Sequence, residues 1–196
     1  MSSIRAKRKR RATGDRGAAI VEAAIILPVV VLLVFGIVEI GFLFRSATIV
    51  STSTRSGARL ASAQYGSAPD TTTQNTVMDN VRLTVEKDLS SKAGDDTPVD
   101  LWIYKADASG NPPSGGFSSC GSPCYVYTWS SVTGHFTFSS GSWASPIACG
   151  TAHDSVGVFV RATHKPIGFT SAFGTFTITE RTVMRLEPSN SCQSGT

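Results

Sequence analysis

Between Ala18 and Phe44 the chain has 27 residues with two ionisable side chains, Glu22 and Glu39. As a helix this run would be roughly 40 Å long at about 1.5 Å per residue, more than the roughly 30 Å of a bilayer core. Its flanks are unequal. Residues 1–17 hold seven Lys/Arg against Asp15 and carry a net charge of +6, whereas residues 45–196 hold eleven charges of each sign and are neutral. "KRKRR" at 7–11 would alone read as a nucleic-acid or nuclear-import patch. Beside an apolar run it reads as the flank that stays in the cytoplasm, with the C-terminal body outside. The neutral body argues against a phosphate-binding surface, so no nucleic-acid partner is expected.

A cleavable secretory signal has a core of about 7–15 residues followed at once by a small-residue site. The nearest A-x-A here, Ala61–Ala63, is far beyond the run. Arg10–Arg11 hints at twin-arginine export, but polar "ATGD" follows and the run is too long. The sequence therefore predicts a retained single-pass anchor in the cytoplasmic membrane.

This anchor has features that a plain one does not need. Pro28 removes a backbone donor and frees the carbonyl of Ala24, which predicts a bend or a soft point. Ala19 and Ala23, four apart, permit close helix approach. Gly36 and Gly41 are further small sites. Glu39 lies about 25 Å beyond Glu22 along the axis, where it can snorkel outward or pair with a neighbour's Arg45.

Glu22 needs a separate account. An ionised carboxylate costs about 2.5–3.5 kcal/mol at the centre of a membrane helix and less near an end. It can reach the headgroups and pair with Arg16. A cut between Gly17 and Ala18 offers a sharper role. It would release the basic arm and create an amine on Ala18, one helical turn from Glu22. Amine and carboxylate could then neutralise each other within a chain or between staggered neighbours, setting the register of packed helices. Glycine before the cut suits a protease cleft, which holds the backbone extended.

The stretch "RGAAIVEAAIILPVVVLLVFGIVEIG" at 16–41 resembles the cleavage region of type IV prepilins, and within them the TadE-like minor pilins (pseudopilins) of the tight-adherence pilus. Glu22, Leu27–Pro28, Phe35–Gly36 and Glu39–Ile40–Gly41 carry the resemblance. "RSGARLASA" at 55–63 and "RTVMRLEP" at 181–188 extend it weakly. Major pilins of that system usually follow the glutamate with tyrosine, whereas Ala23 stands here. Together with the large body, this points to a minor component. The resemblance implies processing by a prepilin peptidase at Gly17|Ala18, and partnership with other tight-adherence pilins and membrane assembly proteins. The alternative class is a membrane-anchored module that binds an extracellular ligand.

The remainder reads as α+β: a long transmembrane helix, a second helix, then a small antiparallel sheet. The expected divisions are a leader at 1–17, the membrane helix at 18–44, a helical segment at 45–94, a β domain at 95–188 and a tail at 189–196. Residues 45–64 are rich in small side chains and lack proline, so the helix should continue and pack closely, with Gly57 a weak point. Thr71 and Gln74 fit a capping box. Val77, Val81, Val85 and Leu89, with Met78, form a stripe, and Gly94 fits a helix end. Beyond residue 99 the period is two. Val99–Tyr104, 156–161 and 174–187 alternate, and 124–138 reads as a hairpin turning near Val132–Gly134. Loops are expected at 106–123 and 139–154.

Cys120, Cys124, Cys149 and Cys192 suit one or two disulfides in an exported body, with three full pairings open. Cys120 and Cys124 with His135, His153 or His164 are weighed as a zinc set, but the C-x2-C spacing is absent, so no metal or cofactor is expected. His153–Asp154–Ser155 holds triad residue types as chain neighbours, which is not how triads are built. No catalytic residue is assigned. Trp102, Tyr104, Tyr125, Tyr127, Trp129 and Trp143 read as core and cross-strand pairs, with a sugar- or DNA-binding patch as the other possibility.

Overall fold

The computed structural model describes residues 15–90, 96–149, 153–166 and 174–188. The leader before Asp15, the helix stop at Gly94 and the tail with Cys192 lie outside them. The chain divides into two units, 1–40 and 41–196. Helix α1 (Asp15–Gln64) contributes to both and is continuous through Pro28. A single 3-10 turn (Tyr65–Ser67) and helix α2 (Thr71–Ser90) follow. Five strands complete the fold: β1 (Asp96–Ala106), β2 (Cys124–Ser130), β3 (His135–Ser142), β4 (Ser155–His164) and β5 (Phe176–Arg185). They form one antiparallel sheet in the order β3-β2-β1-β4-β5. The architecture is α+β, as expected.

In the unit 41–196, α1 buries a stripe at Ser46, Ile49, Val50, Ser53, Thr54, Ala58, Ala61 and Ser62, and Tyr65 of the 3-10 turn extends it. The buried hydroxyls of Ser53 and Thr54 donate to the carbonyls of Val50 and Ser51 in their own helix, so they need no outside partner. Gly57, expected to be a weak point, lies where α1 meets its neighbours most closely. A Cβ there would come within 2.6 Å of Val85 Cγ2 and 3.5 Å of Val158 Cγ1. The missing side chain is what lets the helices approach.

Val77, Met78, Val81, Val85 and Leu89 of α2 are all buried, as the stripe predicts. The cap, however, is Asp70 and not Thr71. Asp70 Oδ1 accepts from the backbone N–H of Thr73 at 2.8 Å, which holds its carboxyl below the usual carboxylate range. Gln74 is buried and donates to the carbonyl of Ala68 at 3.4 Å. The residue that precedes the expected box therefore does the capping.

The sheet is covered on both faces. Leu101, Ile103, Val156, Val158, Val160 and Ile178 join the helices in the main core. On the outer face, Trp102, Tyr104 and Phe159 are also buried. Phe117 from the β1–β2 loop covers them, 4.7 Å from Phe159 between ring centroids. Arg161 lies over Trp102 and pairs with Asp100. The ring of Tyr104 lies against its cross-strand partner Gly157, filling the space a Cβ would take. The expected hairpin turns at 131–134, with Gly134 at φ +69. β3 runs to Ser142, so the next loop begins later than expected.

The two edge strands differ: β3 is interrupted, whereas β5 pairs with β4 without a register shift. β3 is bulged, because Val126 pairs with Ser140 and Tyr127 with Phe138, leaving Ser139 without an opposite number. Gly141 beside it has φ +100. On β5, Glu180 stands opposite Val160 and is half-buried on the inner face, between Ile178 and Thr182.

Tyr65, Tyr104 and Tyr127 are buried. Burial raises all three phenols above their ordinary value of 10.0, Tyr104 to about 12. The folded chain therefore keeps these protons when the unfolded chain has lost them. Stability should be unaffected by them at neutral pH and fall as pH rises above about 10. A melting temperature that holds steady into strong alkali would contradict this.

Candidate membrane helix and processing site

The segment of α1 in the first unit is apolar on every side, the pattern of a helix whose surroundings are apolar all round. Its large side chains are exposed, from Ile20 at 70% to Ile37 at 71%. It is long and apolar enough to cross a membrane. Hydrogen bonding within a helix satisfies its backbone, which lipid cannot do. From Ser46 onward the character changes to the one-sided stripe described above.

Gly17 and Ala18 lie in the opening turns of α1 and are exposed. Ala19, Glu22, Ala23 and Pro28 are exposed as well, while Gly36 and Glu39 are half-buried. A Cβ placed at Gly17, Gly36 or Gly41 would meet nothing within 4 Å, so these glycines are not required by packing within the chain. Glu22 has Ala18 and Ala19 four and three residues before it. A helical side chain leans toward the N-terminus, over the preceding turn. The helix thus places Glu22 on the face of Ala18 and Ala19, with the Ala18 nitrogen one turn away.

Residues 17–59 match the family model of TadE-like protein. The helix α1 carries a TadE-like segment. The match begins at the glycine before the expected cut and ends at Arg59, within the part of α1 that packs on α2 and the sheet. No curated protein and no solved structure matches the chain.

The other sequence-predicted sites fall as follows. Cys120 and Cys124 are disulfide-bonded, with Cα atoms 6.0 Å apart. They are therefore not the thiolate pair weighed for zinc. Cys149 is also in a disulfide. Among the described residues, no three of His, Cys, Asp and Glu cluster as a metal site. Asp154 pairs with Lys105 Nζ at 2.7 Å and accepts from the backbone N–H of Ile147 at 3.0 Å, tying the segment before β4 to β1. His135 and His164 pair with Glu86 and Asp96 at 2.5 and 2.6 Å. Trp129 and Tyr127 form cross-strand pairs with Phe136 and Phe138, whose ring centroids are 5.1 and 5.8 Å away.

Sequence reasoning missed Glu86. It is buried and accepts from the backbone N–H of Phe136 at 3.0 Å and from Arg82 at 3.0 Å, joining α2 to β3. The available signal was the i, i+4 spacing of Met78, Arg82 and Glu86 beside the apolar stripe.

Proposed function

We propose that this chain is a minor pilin, or pseudopilin, that acts in assembly of a tight-adherence pilus and is cut between Gly17 and Ala18 by a prepilin peptidase. The TadE-like segment and a helix able to span a membrane fit a component of that system. The observation that carries the finer reading is the position of Glu22, one turn into the matched helix on the face of Ala18 and Ala19. In this reading the basic leader faces the cytoplasm and the unit from residue 41 onward lies outside. The chain is a structural part and not an enzyme. The peptidase supplies the chemistry, and the lipid bilayer and other pilins are the partners of the helix.

Cleavage at this position requires the first turn of α1 to open so that the peptidase can hold an extended backbone. Gly17 lowers the cost of opening, since glycine is about 1 kcal/mol less helix-stable than alanine. Once formed, the Ala18 amine would offset the charge of Glu22, which otherwise opposes insertion. Ala19, Ala23, Gly36 and Gly41 then offer small surfaces on which another pilin helix can close.

The test is intact mass and N-terminal sequencing of protein extracted from its own membranes and from sheared pili. A chain beginning at Ala18 is expected, and E22A should reduce recovery in pili at least tenfold. Functional material that retains residues 1–17 would overturn the processing step. Normal incorporation of E22A would remove the role given to the carboxylate.

A further inference from the structure

A groove of about 410 Å³ lies between α2 and the β2–β3 hairpin, within the size range of small-molecule sites. Thr71, Asn75 and Asp79 form one wall. They are four residues apart, so a hydroxyl, an amide and a carboxylate stack on one face of α2 over about 12 Å. Tyr125 and Tyr127, each 5% exposed, form the base of the facing wall, and Phe138 is the ring that stands out from it. Phe138 is 57% exposed and stands edge-on to Tyr127. Tyr125 Oη donates to Asn75 Oδ1 at 3.1 Å, which leaves the Asn75 Nδ2 group to face a ligand. Asp79 Oδ1 takes the guanidinium of Arg82, and Oδ2 remains an acceptor.

We propose that this groove binds an uncharged oligosaccharide. A sugar ring has an apolar C–H face and a hydroxyl rim, and the groove has an aromatic wall opposite a row of hydrogen-bonding groups. Charge narrows the class. Asp79 is the one formal charge among the lining residues. The nearby Arg82 is already held by Asp79, Glu86 and the carbonyl of Phe136. An anionic ligand would therefore meet repulsion with no available cation. A purely apolar ligand would strip water from Thr71, Asn75 and Asp79 without replacing its hydrogen bonds. A peptide added along β3 would meet the interrupted ladder at Ser139–Gly141.

The proposal is tested on the full chain in phospholipid nanodiscs, since maltoside detergents would bring sugar of their own. An array of neutral, N-acetylated, sialylated and sulfated oligosaccharides is probed, and those retained are titrated by calorimetry. Neutral or N-acetylated oligosaccharides should bind and the anionic ones should not. F138A should weaken binding at least tenfold and T71V about fivefold, with melting temperatures within about 5 °C of wild type. Failure to retain any oligosaccharide, equal retention of anionic ones, or unaltered binding by F138A would each overturn the proposal.

Discussion

Replacing Glu86 with alanine should lower the stability of the 41–196 unit by about 2–3 kcal/mol, the cost of leaving a buried backbone donor without an acceptor and a guanidinium with one fewer. That corresponds to a fall in melting temperature of about 10 °C for a unit of this size. The carboxylate accepts from the buried Phe136 N–H, from Arg82 and from His135 Nδ1. Its loss leaves the buried Phe136 N–H without its acceptor and removes one of three acceptors from a guanidinium that is 15% exposed. Glutamine keeps one acceptor but turns an amide toward Arg82, so E86Q should fall between E86A and wild type. Circular dichroism melts of the three proteins check the order. E86A within 1 °C of wild type would show that the contact does not hold α2 to the hairpin.

The second large effect is expected at Gly57. Valine there should cost about 3 kcal/mol, the upper end of ordinary overpacking, because even its Cβ would stand 2.6 Å from a fully buried Val85. Valine side chains have restricted rotamers and cannot turn away. Alanine is the more informative substitution. It gains about 1 kcal/mol of helix propensity and still collides with Val85, so G57A should be destabilised despite the better helix former. Trimming the opposing residue should relieve the collision. The double variant G57A/V85A should therefore be more stable than the sum of the single effects predicts. Strict additivity would show that the two positions do not share one space.

The elements legible in the sequence were those with a single period and a single face. The α2 stripe is one; the Gly134 turn, set by a glycine between two alternating runs, is another. Features that need two segments at once were not legible. Gly57 reads as a flaw in a helix until Val85 and Val158 stand against it. Trp102 and Phe159 alternate as if on a sheet with one open face, yet Phe117, more than ten residues from either along the chain, covers them. Asp70 caps α2, although Thr71 and Gln74 offer the more familiar box pattern one residue later. The groove joins α2 to residues 125–144, and neither segment alone specifies it. In the apolar half of α1 the balance differs. Glu22 stands out there because an acid in an apolar run needs a reason, whatever the rest of the chain does.

Both margins of the sheet carry devices that spoil further strand pairing: the bulge and glycine on β3, and the inward-turned Glu180 on β5. Copies of this protein are thereby discouraged from zipping together edge to edge, even when crowded side by side. In the proposed pilus role, contacts between subunits would then fall to the apolar half of α1, and the sheet could vary its surface without altering them.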